Sequence, residues 1–311
     1  MNSIVGNGLE KQAERVIHRG SKSFGAAAQL FAPGMRRDVM MLYAWCRHCD
    51  DLIDGQQLGR GTIQTASIET LEGLREDSLA ALDGSPTPAL PFQALAKLAR
   101  RHSISRSLVE AHIHGFELDV MGWQPSTLED TLRYSYHVAG TVGIMMARIM
   151  QVRDAPTLRR ASDLGIAFQL TNIARDVVED ALGGRCYLPE QWRRVAGLST
   201  ADLADPGCRD KVFPLVRRLA EEAEPYYQSA AIGIRALPRR AAWAVAAARS
   251  VYRDIGIKIL RRGPDALSER ISTGPGRKVW RVATAVPIAL APRRTCIAAS
   301  RCGLWTPSEF A

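Results

Sequence analysis

Apolar residues return every three or four positions along most of the chain, the spacing of helices that bury one stripe. The pattern predicts helices over about Leu9 to Lys22, Met35 to Asp54, Ile63 to Leu82, Pro91 to Arg101, Ser105 to Met121, Leu128 to Met150, Ala155 to Asp180, Pro214 to Leu237 and Arg239 to Leu260. Strand-like alternation is scarce. The breaks carry turn residues, as in Ala32-Pro33-Gly34, Asp83-Gly84-Ser85-Pro86, Leu182-Gly183-Gly184, Gly263-Pro264 and Gly274-Pro275-Gly276, where glycine and proline end helices for opposite reasons of freedom and constraint. No repeat or low-complexity linker divides the chain, so a single all-α domain over residues 1–311 is expected.

Composition agrees with that class. Hydrophobic residues make up 46% of the chain but aromatics only 6%, which suits long packed helices. The formal charge of +9 is unevenly placed: from Lys258 onward ten Lys/Arg face only Asp265, Glu269 and Glu309. Such an excess attracts nucleic acid, an anionic bilayer or a polyanionic small substrate. Nucleic acid is not expected, because no helix-turn-helix or interleaved aromatic platform accompanies the charge.

The run Val282 to Ala291 is interrupted by Pro287 and falls well short of the ~20 residues that span a bilayer. Six scattered cysteines and an N-terminus without an apolar run predict a cytoplasmic location. For the basic segment from about 277, with Arg277 to Arg301, Trp280 and Trp305, two readings stand: a solvated face, or peripheral contact with an anionic membrane surface. On the second, removing residues after about 276 is expected to weaken liposome binding more than catalysis.

Chemistry concentrates in two helical blocks. In Tyr43-Ala-Trp-Cys-Arg47-His-Cys-Asp50-Asp51-Leu-Ile-Asp54, Asp50 and Asp54 share a helix face with Arg47 about one turn earlier. Taken alone, this is either a divalent-metal site or a helix ending on a solvated face. In Phe168-Gln169-Leu-Thr-Asn172-Ile-Ala-Arg175-Asp176-Val-Val-Glu179-Asp180 the spacing recurs, with Asn172, Asp176 and Asp180 in one stripe and Gln169 a turn earlier. Two such helices facing each other make a polyacidic space suited to Mg²⁺ or Mn²⁺ and a diphosphate, because hard cations bind diphosphates through a few carboxylates and retained waters.

These two segments, together with Ser21-Lys-Ser23-Phe24, Tyr134-Ser-Tyr136-His-Val-Ala-Gly-Thr-Val-Gly143 and Gly184-Arg-Cys-Tyr-Leu-Pro189, resemble the squalene/phytoene synthase family, and over most of the chain its bacterial phytoene-forming branch. The resemblance implies an isoprenoid synthase fold with a helix-lined central cavity. It implies metal ligation by Asp50, Asp54, Asn172, Asp176 and Asp180, with three Mg²⁺ or Mn²⁺ ions and no NADPH. Phosphate or substrate contact is implied for Ser21, Ser23, Phe24, Arg47, Gln169, Arg175 and Arg270, and a chamber lining for Tyr43, Tyr134 and Tyr252. The implied reaction joins two geranylgeranyl diphosphates head to head, through a cyclopropylcarbinyl diphosphate (prephytoene diphosphate), to 15-cis-phytoene. Alternatives are a dehydrosqualene or squalene synthase acting on farnesyl diphosphate, and a non-catalytic family member.

Other signals carry less. Cys46 and Cys49 have a metal-like spacing without a second pair, so buried thiols are expected. His112 and His114 diverge on a helix, and Asp119 is either an accessory acid or a capping residue. Ala139, Gly140 and Gly143 serve close helix packing, a smooth apolar tunnel, or both. For Arg175 and Arg270 an ion pair with neighbouring acids is the alternative to phosphate contact.

Overall fold

The structure, a computed structural model, describes residues 25, 27–55, 66–87, 89–290 and 301–307. The expected first helix and the candidate residues Ser21, Ser23 and Phe24 lie outside the described residues. Those described form α-helices and short 3₁₀ or π turns without a strand. In chain order the helices are α1 (Pro33–Asp54), α2 (Ile68–Asp83), α3 (Leu90–His102), α4 (Arg106–Val120), α5 (Leu128–Ser135), α6 (Thr141–Ile149), α7 (Ala155–Leu182), α8 (Glu190–Val195), α9 (Arg209–Ile234), α10 (Arg239–Arg262), α11 (Pro275–Thr284) and α12 (Val286–Leu290).

Side chains start several helices by satisfying backbone donors that the first turn leaves free. Ser67 accepts from the Thr70 N–H and Asp154 from the Thr157 N–H, while Thr127 and Asp130 cap each other reciprocally. Gly55 and Gly84, at φ 62° and 84°, end α1 and α2 in the left-handed region that favours glycine. Three expectations shift. The block from Leu128 to Met150 is interrupted by a π-helical turn at Tyr136–Gly140. Helix α9 begins at Arg209 and carries Pro214 internally, and α8, α11 and α12 are helices where none was expected.

Helix α7 is central and buried around its circumference. It packs most extensively on α9 and also on α6, the π turn and α10, whereas α1 packs on α3, α2 and α6 and makes no more than isolated contacts with α7. The two acid-bearing helices therefore stand apart. Backbones meet closely elsewhere: a Cβ on Gly143 would lie 2.3 Å from the Ala161 carbonyl oxygen, and one on Gly165 2.2 Å from that of Ala139. Gly143 is thus spent on packing α6 against α7.

Part of the basic C-terminal segment is engaged within the fold. Arg277 and Arg281 of α11 donate to Asp254, and Arg301 donates to Asp163; both aspartate side chains have 0% exposure. Trp305 is half-buried, its ring 6.0 Å from the Tyr136 ring and its backbone N–H donating to the Tyr226 hydroxyl. Trp280 remains exposed. Three arginines read as surface charge thus face buried acids, because a buried carboxylate without a partner is costly. No helix among the described residues is long and apolar enough to cross a membrane.

Candidate active site

Burial of Val39, Met41, Leu42, Trp45, Cys49 and Ile53 fixes the rotation of α1. Asp50 and Asp54 are then carried towards the ends of α4 and α7. Arg47 lies 3.5 Å from Asp50 and 3.9 Å from Asp51, with its guanidinium 5.9 Å from the Tyr43 ring centre. Burial, opposed by Arg47 and reinforced by Asp54, Asp51 and Asp119, pushes the Asp50 carboxyl up to about 7. Its side chain still keeps 38% exposure, so it faces an opening while protein crowds its other sides.

On α7, Asp176 is clamped by two guanidiniums. Arg175 donates to both of its carboxylate oxygens, and Arg270 donates to the same two at 2.9 and 3.0 Å. Burial works to raise its pKa, but these partners outweigh it and hold the carboxyl below the usual range. Asp180, one turn on, has no such clamp, and burial together with the Asp176 charge pushes it up to about 8 despite Arg185. Asn172 donates to Gln169 at 3.4 Å, while its own carbonyl oxygen is buried with no hydrogen-bond partner.

A third acid joins them. Asp119, at the end of α4, accepts from the Tyr134 hydroxyl at 3.0 Å and from Tyr187 at 2.7 Å. The two tyrosine rings stack at 4.7 Å. Burial pushes Asp119 up to about 6, against Arg185 and the two hydroxyls. Arg185 lies 2.8 Å from Asp54. Tyr252 of α10 stacks on Phe168 at 4.2 Å and is close enough to Tyr43 and Arg175 to influence both electrostatically.

The structure thus gathers Arg47, Asp50 and Asp54 from α1 with Asp180 from α7, and it sets Tyr134 beside them through Asp119. Asp176 and Arg175 lie on α7 and Tyr43 on α1, whereas Tyr252 comes from α10 and Arg270 from the segment between α10 and α11. Arg175 and Arg270 take the ion-pair alternative in this state. Reading the sequence underweighted Asp119 and assigned nothing to Arg185 or Tyr187, although Arg185 and Tyr187 sit in the Gly184–Pro189 motif directly after the second acidic stripe.

Under-neutralised carboxylates and an orphaned amide oxygen are a hard donor set short of positive charge, which fits Mg²⁺ or Mn²⁺. A separate group, Asp202, Asp205 and Cys208, does not compete for this role. Its acceptors serve local turns, with Asp202 holding Ser199 and Asp205 holding Gly207 and Cys208. Of the two thiols expected to be buried, Cys49 is and Cys46 is half-buried, and burial pushes both up, which makes them less reactive. His112 is also buried, which lowers it to about 4; His114 instead pairs with Glu117 at 3.0 Å.

The chain is 48% identical over 296 residues to a 15-cis-phytoene synthase of Paracoccus sp., covering 95% of this chain and 96% of the relative. It is 47% identical to a 15-cis-phytoene synthase of Pantoea ananas, covering 92% and 93%. Among solved structures, a dehydrosqualene synthase in complex with ligand superposes with a TM-score of 0.79 at 28% identity, covering 90% of this chain and 95% of that one. The squalene/phytoene synthase family model matches residues 17–277, and the chain belongs to that family.

Proposed function

We propose that the protein condenses two molecules of geranylgeranyl diphosphate head to head to give 15-cis-phytoene. The observation that carries the diphosphate chemistry is the pair of acidic stripes on α1 and α7, held apart rather than packed together, with carboxylates that protein charge leaves incompletely balanced. The choice of C20 substrate rests on the phytoene synthases that match nearly the whole chain.

On this reading Asp50, Asp54, Asn172, Asp176 and Asp180 hold Mg²⁺ or Mn²⁺. The bound cation supplies charge neutralisation to the diphosphate as it leaves. Arg175 and Arg270 already converge on Asp176, where their paired donors also suit phosphate oxygens; Arg47 plays the corresponding part beside Asp50. Ionisation leaves an allylic cation, and the Tyr43 and Tyr252 rings face it with π-electron density. The second substrate's double bond attacks, and loss of one proton closes the three-membered ring of the cyclopropylcarbinyl diphosphate. A second ionisation, rearrangement and loss of one proton give the conjugated triene, with no reductant consumed.

The test is incubation of purified protein with geranylgeranyl diphosphate and Mg²⁺, without NADPH, with farnesyl diphosphate in parallel. A C40 triene that disappears with EDTA is the expected product. A C30 product only would move the assignment to the farnesyl-using alternative, which the likeness to a dehydrosqualene synthase structure favours. No product from either substrate would support a non-catalytic family member.

A further inference from the structure

Arg185 has a placement that the reaction as described does not use. Helix α7 ends in two glycines, and Gly184 adopts φ 75°, a conformation that residues with a side chain rarely take. The Arg185 N–H then returns to the Asp180 carbonyl at 2.8 Å. This turn sends the Arg185 side chain back beneath the end of α7, where it keeps 15% exposure and meets Asp54 of α1.

Its electrostatic neighbours span three helices. Besides Asp54, it acts to lower the pKa of Asp119 on α4 and of Asp180 on α7. A guanidinium offers five donors in a planar fork. Here one terminal nitrogen lies 2.8 Å from Asp54, and both Nε and the other terminal nitrogen are buried with no hydrogen-bond partner. A permanent structural arginine is expected to fill its donors, as Arg301 does with Asp163, Thr306 and the Trp305 carbonyl. Arg185 instead gives a single positive charge to a group of acids and forms an incomplete set of bonds.

We infer that Arg185 is a positioning residue that stands in for the cation: it holds Asp54 while the acidic space lacks metal and gives it up when metal binds. This rests on the proposed assignment of Asp54 as a metal ligand. Displacement costs one ion pair, so Arg185 weakens metal binding to the free protein and keeps the like-charged ends of α1, α4 and α7 together until metal arrives. Metal binding and release of Arg185 are therefore coupled through the same carboxylate.

Thermal unfolding of the full-length protein, titrated with MgCl₂ alone after EDTA treatment, tests this. Arg185→Gln is expected to lower Tm without metal, and to lower the Mg²⁺ concentration giving half of the Tm rise by about tenfold, or about 1.4 kcal/mol. Arg185→Lys, which keeps the charge, is expected to restore both values towards wild type. A merely structural role would lower Tm at every Mg²⁺ concentration and leave the half-saturating value unchanged, which would overturn the inference.

Asp54→Asn separates this failure from failure of the metal assignment. A wild-type Mg²⁺ response that Asp54→Asn removes but Arg185→Gln leaves unchanged overturns the role of Arg185 only; absence of any Mg²⁺ response in wild type overturns both. A second measurement needs no variant: modification of wild-type Arg185 by phenylglyoxal, followed by peptide mass analysis. Mg²⁺ is expected to speed modification as the side chain leaves Asp54, and an unchanged or slower rate counts against the inference.

Discussion

Asp163 and Asp254 are fully buried and Asp50, Asp119 and Asp180 only partly so, yet the protein treats the two sets in opposite ways. Each interior aspartate receives guanidinium partners: Arg301 for Asp163, and Arg277 and Arg281 for Asp254. At Asp254 the burial cost is outweighed by these partners and the carboxyl is held below its ordinary range. Asp50, Asp119 and Asp180 are left at about 7, 6 and 8. A buried acid that is completely paired closes the fold, whereas one left short of positive charge is available to bind it.

The largest expected effect falls on the interior set. Arg301→Ala leaves Asp163 buried without its guanidinium and is expected to cost about 3–5 kcal/mol, measured by urea unfolding; a loss below about 1 kcal/mol would erase the distinction between the sets. A chain ending at residue 276 loses Arg277 and Arg281 from Asp254 and Arg301 from Asp163 and is expected to unfold or aggregate. That outcome would replace the selective loss of liposome binding expected from the sequence.

At the other set the balance reverses. Asp50→Asn is expected to leave stability unchanged or raise it while reducing kcat at least about 100-fold, read from paired unfolding and product assays. Near-normal turnover would contradict the metal assignment, and a large stability loss would move Asp50 into the structural class.

The smallest effect is a pH dependence. A carboxyl whose folded pKa is raised binds more protons in the folded than in the unfolded state, so its contribution to stability falls as pH rises. For Asp50 the window runs from the ordinary carboxylate range of about 4 to about 7. Lowered groups such as His112 and Asp254 act in the opposite sense, so the useful quantity is the difference between proteins. In EDTA, wild type is expected to lose more stability than Asp50→Asn between pH 5 and pH 8; equal slopes would show that Asp50 does not titrate in this window.

Much of this was legible in sequence where the relevant spacing is local. The i, i+4 recurrence at Asp50/Asp54 and at Asn172/Asp176/Asp180 locates both stripes, because helix geometry converts that spacing into one face. The helical blocks survive for the same reason. The π turn at Tyr136–Gly140 was hidden because its residues continue the apolar period. The pairs Arg185–Asp54 and Arg301–Asp163 were hidden because local periodicity contains no information about which distant helices meet. A terminal run of arginines looks identical whether it faces water or a buried aspartate 138 residues earlier.

That last contact also bears on when the fold can be completed. During synthesis, Asp163 and the helices around it are made well before Arg301, and N-terminal parts of a chain begin to fold first. Until Arg301 is available, α7 and α9 enclose a charge that has no guanidinium to meet it, so the native packing around Asp163 is a late event. A released chain ending before residue 301 is expected to be more accessible to protease around α7 than the full-length protein.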